Sequence, residues 1–360
     1  MDAARTSYLR SPQGGLFSRH ALLGPPLWFA VLIAAWVVLA IASLGLGRYV
    51  IPFTTMIDIL RSPILPVTPY WNDAEEMVVL QLRLPRVLAA TLVGMALAMA
   101  GATLQGLLRN PLVDAHLIGI SGGASLGGVL ALFLALPAIA VVAASFGAGL
   151  IALILVFAIS RIGSHSGVMA LVLAGIITGS FFSALVSLVV FAADPEGQLP
   201  GIVYWLMGSF ARVDFSRLGL LAVPTLTAGL LLYQMRWRIN LLSLGDHDAT
   251  GLGVNVERTR WILLSLIALM VGAQVAVSGG IGWIGLVIPH LARLLTGPDH
   301  RTLLPMSALL GGVFMLGIDD LARTLTAQEL PVGLLAALVG TPVFGYLLWR
   351  RQSGWGGGIA

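Results

Sequence analysis

The chain of 360 residues contains no cysteine. Disulfides, thiolate metal sites and thiol catalysis are excluded together. It contains no lysine, so all 20 basic residues are arginine. A P-loop needs a lysine to reach the nucleotide phosphates, so any ATP that drives this protein is bound by another chain. Charge is scarce: 10% of residues are Asp, Glu, Lys or Arg, against roughly 25% in a soluble domain. Hydrophobic residues make up 58%, and mean hydropathy is +0.95. Most of the chain must face lipid or other apolar helices. The net charge of +4 does not point to nucleic acid. The arginines are scattered between apolar runs, where they act as topology signals.

Other absences narrow the function. No Asp or Glu lies in the middle of an apolar run. Ion-coupled carriers keep such groups despite their cost, which speaks against the alternative of a secondary transporter. There is no H-E-x-x-H and no G-x-S-x-G, so no protease or hydrolase motif is present. The expectation is a protein without catalytic residues, metal ligands or a bound cofactor. The histidines are scattered. His116 and His290 read as hydrogen-bonded structural residues, and His247 and His300 as solvated ones. "GGAS" around Ser125 reads as close helix packing through small residues.

What is present is a series of long apolar runs. A membrane span needs about 20 such residues. Runs at 27–46 and 87–108 give two spans. The first contains "AIAS", which imitates a signal-peptidase site, but its length is that of a membrane helix. Residues 115–160 carry no Asp, Glu, Lys or Arg and are too long for one crossing, so Pro137 should divide them. Further spans are predicted at 162–193, 218–235, 302–318 and 330–349, and 261–292 should break at "SGGIG", 278–282. "IVYWLMGSFARVDF" looks interfacial. The prediction is an all-α, polytopic membrane protein with ten transmembrane helices. A segment 1–25 precedes the domain 26–350, and a tail 351–360 follows it.

With both termini cytoplasmic, 13 arginines fall inside and 7 outside, as the positive-inside rule favours. Arg83 and Arg86 then lie outside, against the local trend. Three residues apart, they share one helix face. Spacing alone leaves open whether they snorkel to lipid phosphates. Arg323 is also outside, where Asp319, Asp320 or Glu329 could neutralise it. On the inner side, the loop of about 236–260 is too long for a turn. "SLGDHDATGLGV" reads as a short helix between glycines, capped by Asp246, and suits docking of a partner or an ordinary structured loop. A weak inverted repeat is expected: Arg86, an apolar run, a Gly-rich break and a short helix recur from Arg260.

Four stretches together resemble the FecCD family of ten-span permeases in bacterial ABC importers for iron chelates, heme and cobalamin. They are "LRLPRVLAATLVGMALAMAGATLQGLLRNPLVDAHLIGISGGASLG", "LGDHDATGLGVNVERTR", "GGIGWIGLVIPHLARLLTGPDHRTLLP" and "ELPVGLLAALVGTPVFGYLL". The resemblance implies a type II importer fold in the inner membrane. It also implies a permease homodimer, two ATPase subunits that hold ATP and Mg, and a periplasmic binding protein. By the same resemblance Arg83, Arg86 and Arg323 would pair with glutamates of the binding protein. Leu244, Gly245, Asp246, Gly251, Leu252 and Gly253 would dock on the ATPase. Asn110, Pro111 and Leu112 would form one strip of a cytoplasmic gate, with Val168 and Met169 at the other. Heme is the favoured cargo: a large planar ligand would tolerate the wide apolar pathway that Leu, Val, Ala and Gly spans could make, and "YWLMGSFARVDF" resembles cobalamin and heme members of the family more than siderophore ones; cobalamin and ferric siderophores are the alternatives.

Overall fold

A computed structural model describes residues 24–161 and 168–353. Most of the expected terminal segments 1–25 and 351–360, and the predicted start of the fifth span, lie outside the described residues. Among these there is no strand. In chain order the helices are α1 (Pro25–Gly45), α2 (Phe53–Arg61), α3 (Asp73–Met77), a π-helical turn (Val78–Arg83), α4 (Leu84–Leu108), α5 (Ile120–Phe133) and α6 (Ala138–Ser160). They continue as α7 (Val168–Ala192), α8 (Leu199–Leu206), α9 (Phe215–Gln234), α10 (Arg236–Leu244), α11 (Asp246–Gly251), α12 (Val256–Ser278), α13 (Ile284–Thr296), α14 (His300–Thr324) and α15 (Val332–Ser353).

Among the described residues seven helical stretches are long and apolar enough to cross a membrane, and α5, α13 and α15 add three shorter apolar helices. That accommodates ten crossings. Both predicted divisions are present. Pro137 is the N-cap of α6, and its missing N–H costs nothing there. Gly279, at φ 73°, ends α12 before α13 begins. The interfacial stretch forms the short α8, after which the chain turns through Gly208 into α9.

Two spans run further than expected. The second begins at Asp73, because the Asn72–Glu75 capping box starts a helix that continues through the π turn into α4. The ninth runs past 318 to Thr324, and so carries Asp319 and Asp320 within the helix. The acids are absent from the middle of the spans but present in the last turns of one.

Helices α4 and α12 are the most enclosed spans. Small residues bring the backbone of α4 against its neighbours. A Cβ added at Gly94 would lie 2.1 Å from the Gly311 carbonyl of α14, and one at Gly101 would lie 1.9 Å from that of Gly285 in α13. Lipid tails are as apolar as leucine, so close backbone approach supplies association that hydrophobicity alone does not.

Candidate functional site

At one end of the bundle stand the three predicted arginines. They form no exposed rim. Arg83, Arg86 and Arg323 are 5%, 8% and 6% accessible. Arg83 is the last residue of the π turn and reaches α1, donating to the carbonyls of Leu44 and Gly45 at 2.8 and 3.2 Å and to that of Tyr49. A Cβ at Gly47 would stand 2.8 Å from its guanidinium, so the bare glycine backbone admits the side chain.

Arg86 turns instead to α14. Its Nη2 donates to Asp319 Oδ1 at 2.8 Å and its Nη1 to Glu329 Oε2 at 2.9 Å. Arg323 donates to Ser43 Oγ at 2.7 Å and to Asp320, and its Nε lies 3.4 Å from Asp319. Ser43 Oγ in turn donates to Asp320 at 2.7 Å. Two arginines, Arg86 and Arg323, thus meet three acids, while Arg83 is held by backbone carbonyls. Neutralisation of Arg323 by Asp319 and Asp320 was legible as a possibility; the Arg86–Asp319 pair, 233 residues apart, was not.

At the opposite end, α10 and α11 form a hairpin. Gly245, at φ 131°, is the N-cap of α11. Asp246 therefore does not cap, contrary to expectation. It accepts from Arg260 of α12 at 3.0 and 3.1 Å. Gly251 ends α11, Gly253 follows at φ 82°, and Leu244 and Leu252 project into the open on either side. A second tie holds α10. Asn240 Nδ2 donates to Asp299 at 2.6 Å, Asn240 Oδ1 accepts the His300 backbone N–H at 2.9 Å, and His300 Nε2 lies 3.3 Å from the Ala102 carbonyl of α4. His300 is buried, not solvated as the sequence suggests. The backbone N–H of Arg301 and the Asn240 amide hold the exposed Asp299 carboxyl below the usual carboxylate range. His247 is exposed as expected.

The residues expected to form the gate lie at this same end. Asn110 Oδ1 accepts the Leu112 N–H at 2.9 Å, which closes the Asn110–Pro111–Leu112 turn after α4. Leu112 and Met169 are exposed. The Val168 side chain lies outside the described ones.

Between α5, α7, α8, the 280–283 turn and α15 lies an open cleft of about 960 Å³. Its wall carries Ser121, Ser125, Ser180, Ser183, Ser187, His116 and Trp283. This is the feature that sequence reasoning missed. Ser180, Ser183 and Ser187 recur at helical spacing within an apolar run, and that signal could have separated a polar face from a lipid face. The "GGAS" segment has two faces. Gly123 and Gly127 pack on α6, while Ser121, Gly122 and Ser125 line the cleft. His116 Nδ1 stands 3.7 Å from Asp114. Partial burial opposes the imidazolium, but the neighbouring Asp114 carboxylate outweighs it and raises the His116 pKa above 6.5. Among the described residues no group of three His, Cys, Asp or Glu side chains could hold a metal.

Comparison with known proteins fits this arrangement. The model of the FecCD transport family matches residues 34–350. The molybdate import permease MolB of Haemophilus influenzae is 41% identical over 322 residues, 88% of this chain and 94% of that protein. The hemin transport permease HmuU of Yersinia pestis is 42% identical over 339 residues, 91% of this chain and 97% of that protein. The cobalamin import permease BtuC of Halobacterium salinarum is 39% identical over 285 residues, 78% of this chain and 75% of that protein. A solved inward-facing structure of a metal-chelate type ABC transporter superposes with a TM-score of 0.81 at 40% identity, covering 91% of this chain and 99% of that one. An all-helical chain with this match along its length belongs to the FecCD transport family: it is a multi-pass membrane permease of an ABC importer, a transport subunit whose ATP is bound by separate ATPase chains.

Proposed function

We propose that two copies of this chain face each other across the serine-lined cleft and form the pathway of an ATP-driven importer in the bacterial inner membrane, with both termini cytoplasmic. The observation that carries this reading is the cleft itself. It opens along α7, whose flank exposes Ile176, Phe181 and Leu188 beside the polar stripe. A second copy would cover that apolar flank and close the cleft into a passage.

In this reading the arginine end faces the periplasm and receives the binding protein. Asp319 is fully buried, whereas the Glu329 side chain is 28% exposed. A glutamate of the binding protein would displace Glu329 from Arg86, while Arg83 and Arg323 hold the surrounding backbone in place. The α10–α11 hairpin would dock on the ATPase through Leu244, Gly245, Asp246, Gly251, Leu252 and Gly253. Asn110, Pro111 and Leu112 would meet Val168 and Met169 across the gate.

The cargo is metal-bearing and rich in oxygen. The argument for heme rests largely on an apolar pathway, and this wall sets five serine hydroxyls among its glycines and apolar side chains. Heme would match it through its propionates; a carboxylate-rich ferric chelate or an oxyanion of the molybdate type would match it over more of its surface. The relatives named for molybdate, hemin and cobalamin are of nearly equal identity, so the wall chemistry carries the choice. The test is uptake into vesicles that hold the permease with its own ATPase and binding protein, with molybdate, ferric citrate, hemin and cobalamin offered separately. ATP-dependent accumulation of an oxygen-rich anion is expected. Uptake of hemin or cobalamin alone would overturn the cargo reading, and uptake without ATP would overturn the mechanism.

A further inference from the structure

We propose that the N-terminus of α5 is an anion subsite on the cleft wall, taking a free oxyanion or the carboxylate of a chelate on the Ser121 and Ser125 hydroxyls beside the His116 imidazole. The proposal deepens the reading of the cleft as the cargo path and depends on it.

Four observations converge. First, α5 starts at Ile120 after Gly119, and no side chain caps it. The first amides of a helix have no intrahelical acceptor and carry the positive end of its dipole. Second, Ser121 is 5% accessible, lines the cleft, and its Oγ has no hydrogen-bond partner. A buried hydroxyl without a partner costs about 1–3 kcal/mol, and a ligand oxygen would satisfy it. Third, Ser125 lies one helical turn further along the same cleft-facing side. Fourth, His116 stands at the same wall, with 37% of its side chain exposed. Asp114 keeps the imidazole inclined to protonation and cancels its charge at longer range. The result is a site with local donors and little net charge, suited to brief occupancy. A stronger cation would hold an anion and block the pathway.

The test uses the full chain in lipid nanodiscs with its ATPase partner, and equilibrium dialysis of radiolabelled molybdate and, separately, citrate. Saturable binding of at least one probe is expected, weakened about tenfold by Ser121→Ala. The Ser121 hydroxyl has no protein partner, so this variant should keep the wild-type unfolding temperature. Ser125→Ala, at a half-buried position, provides the same readout if Ser121→Ala fails to fold. Binding of molybdate alone assigns the site to a free oxyanion, and binding of citrate alone to a carboxylate-bearing chelate. Absence of saturable binding of both probes, or unchanged binding in a folded serine variant, overturns the subsite. ATP-dependent uptake that persists in that case leaves the importer reading intact and removes only this inference.

Discussion

Arg83 and Arg86 stand three positions apart on one helix, yet they contact different elements. The π turn ending at Arg83 changes the local register, so Arg83 meets the carbonyls that end α1 while Arg86 meets Asp319 on α14. Burial changes what substitution should do. Reversal of these arginines to glutamate would place an acid against buried Asp319 and unfold this end, not simply weaken docking. Removing one member of a buried pair typically costs about 3–5 kcal/mol, so Asp319→Asn should lower the unfolding free energy by that order in detergent titrations. Glu329→Gln is the informative docking variant. It should leave the fold within about 1 kcal/mol and strengthen binding-protein affinity, because Arg86 Nη1 loses its internal competitor. Unchanged or weaker affinity would refute the exchange at Glu329.

His116 sets a pH dependence at the same scale. Its pKa is raised above 6.5 by Asp114. Asp114 is its titratable neighbour, and α5, α7 and residues 280–283 carry none. The protonated His116–Asp114 contact is fully present below the ordinary histidine value and is lost as pH rises through the raised one. Anion binding in the cleft should therefore hold across pH 6.5 and decline on the alkaline side. In His116→Gln that decline should vanish; a profile identical to wild type would separate His116 from the site.

At the scale of elements, the α10–α11 hairpin is tied to the core at two points: Asp246–Arg260 reaches α12, and Asn240 reaches α14 and, through His300, α4. A stroke delivered to α11 would thus reach both of the most enclosed helices. Asp246→Ala should leave ATP hydrolysis running, while transport per ATP falls several-fold. Equal coupling in variant and wild type would remove the clamp from the mechanism. The α4–α14 crossing tests packing in the same way. Gly94→Val must push against the Gly311 carbonyl, and a destabilisation of at least about 2 kcal/mol is expected by denaturation.

For the whole molecule, the exposed flank of α7 predicts a pair of copies. Native mass spectrometry from nanodiscs should show two permease chains per particle, and cysteine pairs introduced along α7 should cross-link between copies. Particles with a single chain that still transport would place the whole pathway within one copy. Small side chains gather on α5 and α7 where they line the cleft and where neighbouring backbones approach closely.

Composition and period determined the class of this protein. Apolar runs of membrane length, broken at Pro137 and at 278–282, can only be helices when every backbone polar group must be satisfied inside lipid. The lack of lysine sent ATP to another chain, and the quoted stretches identified the family. These are local properties, written in consecutive residues. The tertiary structure decided what depends on distant pairs: that Arg86 and Arg323 are spent on Asp319, Asp320 and Glu329, that His300 is buried, and that five serines from two helices share one wall. Charge pairing and cleft lining are set by which helix faces meet, and a period of 3.6 residues says that a face exists without saying what it meets.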